Sequence, residues 1–161
     1  MLSREDNERL VRVGPGTPMG KLMRLHWLPF LRSGDIGADG QPHRVRLLCE
    51  DLVAFRDTGG KVGLVHHACP HRAAPMVFAR NEDHGLRCVY HGWKFGTDGA
   101  CQDMAAEVAN SPLCKNVRIT AYPVRERCGV LWAYMGPDTE CYDPWCFRVA
   151  DPIYVESSVP A

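Results

Sequence analysis

The first part of the chain has the polar and apolar pattern of two short helices. Ser3 precedes a polar stretch and has the position of a helix N-cap. Thr17 and Pro18 have the character of the N-cap and first position of a second helix, whose largely apolar sequence continues to Trp27. We therefore predict that residues 1–42 form an N-terminal helical segment.

Residues 43–136 consist of short apolar segments separated by turn residues, which predicts an all-β domain. The predicted strands are Val45–Leu48, Leu52–Phe55, Val62–Val65, Gly85–Cys88, Trp93–Phe95, Val117–Ala121 and Val130–Met135. Asp98-Gly99 predicts a hairpin turn before Cys101. Residues 137–161 are interrupted by prolines and are predicted to be a Pro-rich tail or linker.

Composition and charge limit the classes of function. The chain has 161 residues, and its formal net charge of +0 gives no sign of a nucleic-acid-binding surface. No apolar run approaches the roughly 20 residues that span a bilayer, and the charged N-terminus does not resemble a secretory signal. We therefore expect a cytoplasmic protein that binds neither membrane nor nucleic acid.

Two short segments each combine one cysteine with one histidine. One residue separates Cys69 from His71, and two separate Cys88 from His91. Thiolates bind iron strongly, and a [2Fe–2S] centre with two cysteine and two histidine ligands is a Rieske centre. A tetrahedral zinc site is the alternative, although zinc fingers usually pair cysteine with cysteine and histidine with histidine. The mixed spacing favours a Rieske cluster held by all four residues.

The other histidines and cysteines have no comparable spacing. His66 and His67 lie at a predicted strand end, where adjacent side chains point to opposite faces and cannot share one metal ion. His26, His43 and His84 are predicted to be packed or solvated. Six cysteines are predicted to be reduced and mostly buried, namely Cys49, Cys101, Cys114, Cys128, Cys141 and Cys146.

Several longer motifs occur together in this chain. They are Gly16-Thr17-Pro18-Met19-Gly20, Trp27-Leu28-Pro29, Cys69-Pro70-His71-Arg72, Leu86-Arg87-Cys88-Val89-Tyr90-His91-Gly92-Trp93-Lys94-Phe95 and the run from Ala121 to Pro137. Together they resemble the Rieske part of aromatic-ring-hydroxylating oxygenases, in particular the phthalate-dioxygenase-like oxygenase subunits. The resemblance covers roughly residues 1–137.

The resemblance implies a mainly β fold, with an antiparallel Rieske β-sandwich preceded by the two short helices. It implies that Cys69 and Cys88 bind the inner iron of a [2Fe–2S] cluster, while His71 and His91 bind the outer iron. Four further motif residues are expected to surround these ligands, namely Arg72, Tyr90, Gly92 and Trp93.

The resemblance also implies partners and a role in the breakdown of aromatic compounds. In this family a reductase or ferredoxin supplies electrons, and they pass to a mononuclear iron in a catalytic domain of a neighbouring subunit. We therefore expect an electron donor, a catalytic oxygenase domain and a homo-oligomer.

The second iron site of the family has no counterpart in this sequence. All seven histidines lie at or before His91, whereas a downstream iron site of this type needs two histidines and a carboxylate. We expect the mononuclear iron to be absent from this chain, which would then carry electrons without hydroxylating a substrate. A free-standing Rieske ferredoxin-like carrier is the alternative, although such carriers generally lack the two N-terminal helices.

Some positions differ from related patterns. Ala73 and Ala105 stand where the oxygenases usually have glycine and proline. Respiratory Rieske proteins have a disulfide-forming cysteine pair where this chain has Ala74 and Tyr90, and a serine in place of Trp93. With fewer hydrogen bonds to the sulfur atoms, we expect a reduction potential on the order of −150 mV rather than +300 mV.

Overall fold

The computed structural model describes residues 2–107 and 112–137. Except for Pro137, the predicted tail lies outside these ranges. The helices are α1 (Arg4–Val11), α2 (Pro18–Arg24) and α3 (Pro112–Asn116). The strands are β1 (Trp27–Arg32), β2 (His43–Leu47), β3 (Glu50–Arg56), β4 (Val62–His66), β5 (Arg80–Glu82), β6 (Gly85–Arg87), β7 (Lys94–Phe95), β8 (Cys101–Asp103), β9 (Ala121–Tyr122), β10 (Val124–Arg127) and β11 (Val130–Tyr134).

The two N-terminal helices begin where the sequence predicts them. The Ser3 side chain accepts a hydrogen bond from the Asp6 N–H, and the Thr17 side chain accepts one from the Gly20 N–H. Each cap satisfies a backbone donor that a helix N-terminus leaves without an intrahelical partner.

The second helix is shorter than predicted. It ends at Arg24, and Trp27 begins β1, so the predicted continuation of the helix to Trp27 is wrong. β1 pairs antiparallel with β11, and its register shifts between Pro29 and Leu31, an irregularity that accommodates a proline in a strand. Pairing with a distant strand outweighs the weak local preference for helix. Part of the segment 1–42 therefore lies in a sheet.

The strands form three antiparallel sheets, which confirms the prediction of a mainly β fold. Their orders are β1-β11-β10, β2-β3-β4-β9 and β5-β6-β7-β8. The predicted hairpin is present, with Gly99 at a φ of 78° between β7 and β8. The predicted strand at 117–121 is largely wrong, because only Ala121 belongs to β9.

The sheet β2-β3-β4-β9 separates two hydrophobic cores because successive side chains of a strand point to opposite faces. One face contributes to what we call the loop-side core, formed by Val53, Phe55, Val65, Cys69, Met76, Ala79, Leu86, Cys88, Phe95 and Ile119. The other contributes to the helix-side core, formed by Val45, Leu48, Leu52, Ala54, Leu64, Ala133 and Met135. Both candidate cysteine ligands therefore belong to the same core.

None of the helices described here, within residues 2–107 and 112–137, is long and apolar enough to cross a membrane.

Candidate metal centre

The first candidate loop follows β4 and contains Cys69 and His71. The Cys69 N–H donates to the Ala74 carbonyl at 2.9 Å, and the Ala73 N–H donates to the Cys69 carbonyl at 2.8 Å. Ala73 has a φ of 55°, in the left-handed region that residues with a Cβ rarely adopt. Two backbone hydrogen bonds thus close a tight loop around the first cysteine–histidine pair.

The second candidate loop connects β6 to β7 and repeats this geometry. The Cys88 N–H donates to the Trp93 carbonyl at 2.9 Å, and the Gly92 N–H donates to the Cys88 carbonyl at 3.0 Å. Gly92 has a φ of 73°, in the same left-handed region. If the cysteine is counted as the first position of each loop, the left-handed residue is at the fifth position in both. The position of the histidine differs, since His71 is at the third position and His91 is at the fourth.

The two thiols lie at the buried end of the loops. Cys69 and Cys88 are only 3% and 4% exposed, and both pack in the loop-side core. Burial raises the pKa of the Cys69 thiol, and the adjacent Cys88 raises it further, while backbone N–H groups of His71 and Arg72 directed at the sulfur lower it. Such N–H groups stabilise a thiolate in an otherwise apolar environment.

The two imidazoles lie at the exposed end. The rings of His71 and His91 have centroids 4.5 Å apart, and both residues are exposed to solvent. Desolvation, the adjacent His91 and the charge of Arg72 lower the pKa of His71. This favours the neutral imidazole, which has the lone pair that a metal requires.

Aromatic side chains of the second loop contact both imidazoles. Trp93 stacks on His71 with ring centroids 4.4 Å apart and an angle of 7° between the planes. Tyr90 contacts His91 with a centroid separation of 3.9 Å. The structure therefore brings together the four candidate ligands and the four residues predicted to surround them.

A comparison with protein families identifies this pair of loops. The family model described as the Rieske [2Fe–2S] domain matches residues 26–123 of this sequence. The chain belongs to the Rieske family. Its cofactor is therefore a Rieske [2Fe–2S] cluster, and this finding removes the zinc alternative.

The relatives of this Rieske domain include oxygenase subunits. The chain is 52% identical over 132 residues to the oxygenase subunit of 3-chlorobenzoate-3,4-dioxygenase from Comamonas testosteroni, covering 82% of this chain and 31% of that protein. It is 49% identical over 138 residues to the oxygenase subunit of phthalate 4,5-dioxygenase from Pseudomonas putida, covering 85% and 31%. The chain thus spans about a third of the length of these curated relatives, and the resemblance seen in the sequence is confirmed.

Solved structures give the same result. A crystal structure of dicamba monooxygenase with non-heme iron and dicamba superimposes with a TM-score of 0.65 at 26% identity, covering 75% of this chain and 36% of that chain. The reduced complex between oxygenase and ferredoxin in carbazole 1,9a-dioxygenase superimposes with a TM-score of 0.60 at 26% identity, covering 71% and 30%. In that solved complex an oxygenase is bound to a ferredoxin.

The residues present in this Rieske domain fit the cluster. Two buried thiols in apolar surroundings suit one iron, and two exposed imidazoles suit the other. Across residues 2–107 and 112–137, no three or more His, Cys, Asp and Glu side chains are grouped where they could hold a single metal ion. The candidate ligands instead lie as a thiol pair and an imidazole pair.

Arg87 is a residue of the Rieske site that sequence reasoning missed. Its Nη1 donates to the Gly92 carbonyl at 2.9 Å and to Asp103 Oδ2 at 2.7 Å, while its Nε donates to Glu82 Oε1 at 2.8 Å. Arg87 therefore fixes the second loop against β5 and β8. Its position next to Cys88 was the available signal, but the sequence did not show that its partners would meet it.

His66 and His67 do not behave as predicted. Their rings lie 4.6 Å apart, so the prediction that they point to opposite faces is wrong. β4 ends at His66, and strict alternation ends with it. The Ala68 N–H donates to His66 Nδ1 at 3.2 Å, and His67 Nδ1 lies 3.1 Å from the Asp51 carbonyl oxygen. Both rings therefore already have backbone partners.

The remaining cysteines are more exposed than predicted. Cys49 and Cys128 are exposed, and Cys101 and Cys114 are partly buried. Cys141 and Cys146 lie outside the described residues.

Proposed function

We propose that Cys69 and Cys88 bind one iron of the Rieske cluster and that His71 and His91 bind the other. The observation that carries this proposal is the burial difference between the two pairs in loops of matching geometry. Thiolates placed in the core and imidazoles placed at the surface support a cluster whose histidine-bound iron faces outward.

We further propose that this domain relays electrons within an aromatic-ring-hydroxylating oxygenase of the phthalate type. When bound, the cluster accepts and releases one electron at a time. The chain's own residues determine where this exchange takes place. Because His71 and His91 are exposed, a partner can approach their side of the domain closely. Val89 and Tyr90 are also exposed and add apolar area for docking beside the imidazoles.

The proposed partners are a reductase or ferredoxin as electron donor and a mononuclear-iron catalytic domain, in a neighbouring subunit of a homo-oligomer, as acceptor. The relatives named as oxygenase subunits and the oxygenase–ferredoxin complex support this proposal. The two capped N-terminal helices support it over a free-standing carrier, since they belong to the resemblance to oxygenases. The division at residues 43 and 136 and the cytoplasmic location stay predictions from the sequence.

The ligand assignment is tested by measuring iron, acid-labile sulfide and the electron paramagnetic resonance spectrum of the reduced protein. We expect two irons per chain and a Rieske-type spectrum. His71→Ala and His91→Ala should each abolish that spectrum. His84→Ala is the matched control, because His84 is exposed and lies outside both loops. A Rieske spectrum that persists in either ligand variant would refute the assignment.

A further inference from the structure

Two cysteines outside the cluster loops contact each other through their sulfur atoms. Cys101 is the first residue of β8, and Cys114 lies in α3. The Cys114 thiol donates a hydrogen bond to Cys101 Sγ at 2.8 Å, and the Cys101 thiol donates to the Asp103 carbonyl oxygen at 3.6 Å. The two sulfurs are therefore already in contact in the folded protein.

Backbone hydrogen bonds hold this contact in place. The Cys101 N–H donates to the Val117 carbonyl at 3.2 Å, and the Val117 N–H donates to the Cys114 carbonyl at 3.3 Å. Ala100 and Arg118 form an antiparallel bridge beside them. The chain around one cysteine is thus directly bonded to the chain around the other, so the pair does not depend on two freely moving side chains.

The surroundings of the pair favour oxidation over metal binding. Cys101 packs as a partly buried neighbour of the loop-side core. In the part of the chain that the structure describes, no third His, Cys, Asp or Glu joins the two thiols to form a metal site. The chemistry available to two adjacent thiols alone is disulfide formation.

We propose that Cys101 and Cys114 form a disulfide when the folded protein reacts with hydrogen peroxide. The Cys114 sulfur attacks one peroxide oxygen, the O–O bond breaks, and Cys114 becomes a sulfenic acid as one water leaves. The Cys101 sulfur then attacks Cys114 Sγ, the S–S bond forms, and the sulfenic oxygen leaves as a second water. The two thiols lose two electrons and two protons, and hydrogen peroxide gains them to give two waters.

The order of the two steps follows from the environment of Cys101. Burial, followed by the adjacent Cys114, raises the pKa of Cys101 to about 12. A thiol that stays protonated near neutral pH is a poor first nucleophile. We therefore assign the first attack to Cys114 and the resolution of the sulfenic acid to Cys101.

The disulfide would connect α3 to the strand that supports the second cluster loop. Asp103 lies on β8, two residues after Cys101, and accepts a hydrogen bond from Arg87. Arg87 in turn donates to the Gly92 carbonyl. The thiol pair thus adjoins the contacts that support the cluster, although its oxidation does not depend on the proposed ligand assignment.

The test uses the intact protein with its cluster, treated with a small excess of hydrogen peroxide under native conditions. Free thiols are then alkylated, and the protein is denatured and digested with trypsin. Trypsin cleaves after Lys94 and after Lys115, and no Lys or Arg lies between these two residues, so both cysteines fall in one peptide. We expect this peptide to lose alkylation at both cysteines and to be two hydrogens lighter than the reduced, unalkylated peptide. Treatment with dithiothreitol should restore both reactive thiols.

Single substitutions complete the test. Cys114→Ser and Cys101→Ser should each abolish the lighter peptide, whereas Cys128→Ser, which removes an exposed cysteine elsewhere, should leave its yield unchanged. Full alkylation of both cysteines after peroxide treatment would overturn the proposal. Separate oxidation of Cys101 and Cys114 to sulfinic or sulfonic acids, without the lighter peptide, would also overturn it.

Discussion

Trp93 lies flat against the imidazole of His71, with ring centroids 4.4 Å apart and 7° between the ring planes. Trp93 also packs, partly buried, against the loop-side core. Its indole therefore packs against the core on one side and restricts rotation of the His71 ring on the other. The aromatic ring of the second loop thus positions the exposed imidazole of the first, which is a proposed iron ligand.

Replacing Trp93 with Leu should remove the stacking contact on His71 while keeping an apolar side chain immediately before β7. An aromatic contact of this kind is worth about 0.5–1.5 kcal/mol, so we expect iron release to a chelator to be up to about tenfold faster. The measurement is the decay of cluster absorbance in excess chelator. Trp27→Leu is the control because Trp27 belongs to the sheet β1-β11-β10. Equal release rates in both variants would contradict the positioning role.

The two left-handed loop positions should respond in opposite ways to substitution. Gly92→Ala should destabilise the protein, because left-handed alanine costs about 1–2 kcal/mol and its Cβ would lie 2.8 Å from Ala105 Cβ. Ala73→Gly should be neutral or stabilising by up to about 1 kcal/mol, since relief of the same strain exceeds the entropic cost of glycine. Denaturant unfolding measures both changes. A stabilising Gly92→Ala together with a destabilising Ala73→Gly would contradict the equivalence of the loops.

Removal of the Arg87 side-chain contacts should destabilise the second loop. Arg87→Met leaves the Gly92 carbonyl and Asp103 without their guanidinium donor. The Arg87 side chain is only 15% exposed, so we expect a loss of about 2–3 kcal/mol in the free energy of unfolding.

The matched control is Arg32→Met, which also removes an arginine–aspartate pair. The Arg32 side chain is 81% exposed, and its partner Asp35 is three residues away. Exposed pairs contribute about 0–1 kcal/mol, so this variant should unfold almost like the parent protein. Similar losses in both arginine variants would show that Arg87 has no special role.

The Arg87–Asp103 contact should also make stability depend on pH. The guanidinium lowers the pKa of Asp103 below its usual value of about 3.9. The contribution of the pair is therefore fully present above that value and is lost as the pH falls through the lower folded-state pKa. Asp103→Asn should be less stable than the parent protein at pH 7, and the difference should shrink below about pH 4. A stability difference between the two proteins that is the same at pH 7 and below about pH 4 would contradict this linkage.

Local sequence patterns predicted the parts of the structure that depend on nearby residues. The caps at Ser3 and Thr17, the Asp98-Gly99 hairpin and the short apolar strands follow from preferences within a few positions. The two cysteine–histidine pairs were also recognisable, because each candidate loop contains its cysteine and histidine within four residues.

The features that the sequence did not predict depend on contacts between distant segments. Trp27 belongs to a strand because it pairs with β11, which lies far away in the sequence. Arg87 meets Asp103 only after β6, β7 and β8 align. The thiol contact between Cys101 and Cys114 likewise requires α3 to pack beside β8. The spacing of residues along the chain contains little information about these long-range contacts, since tertiary packing determines them.

We propose that two imidazoles bind one iron of the cluster while two thiolates bind the other. This ligand assignment is decided by pulsed electron paramagnetic resonance on the reduced protein, labelled with ¹⁵N only in histidine. We expect two strongly coupled ¹⁵N nuclei, from His71 and His91, at the same iron. A reduced cluster without strongly coupled histidine nitrogen would contradict it.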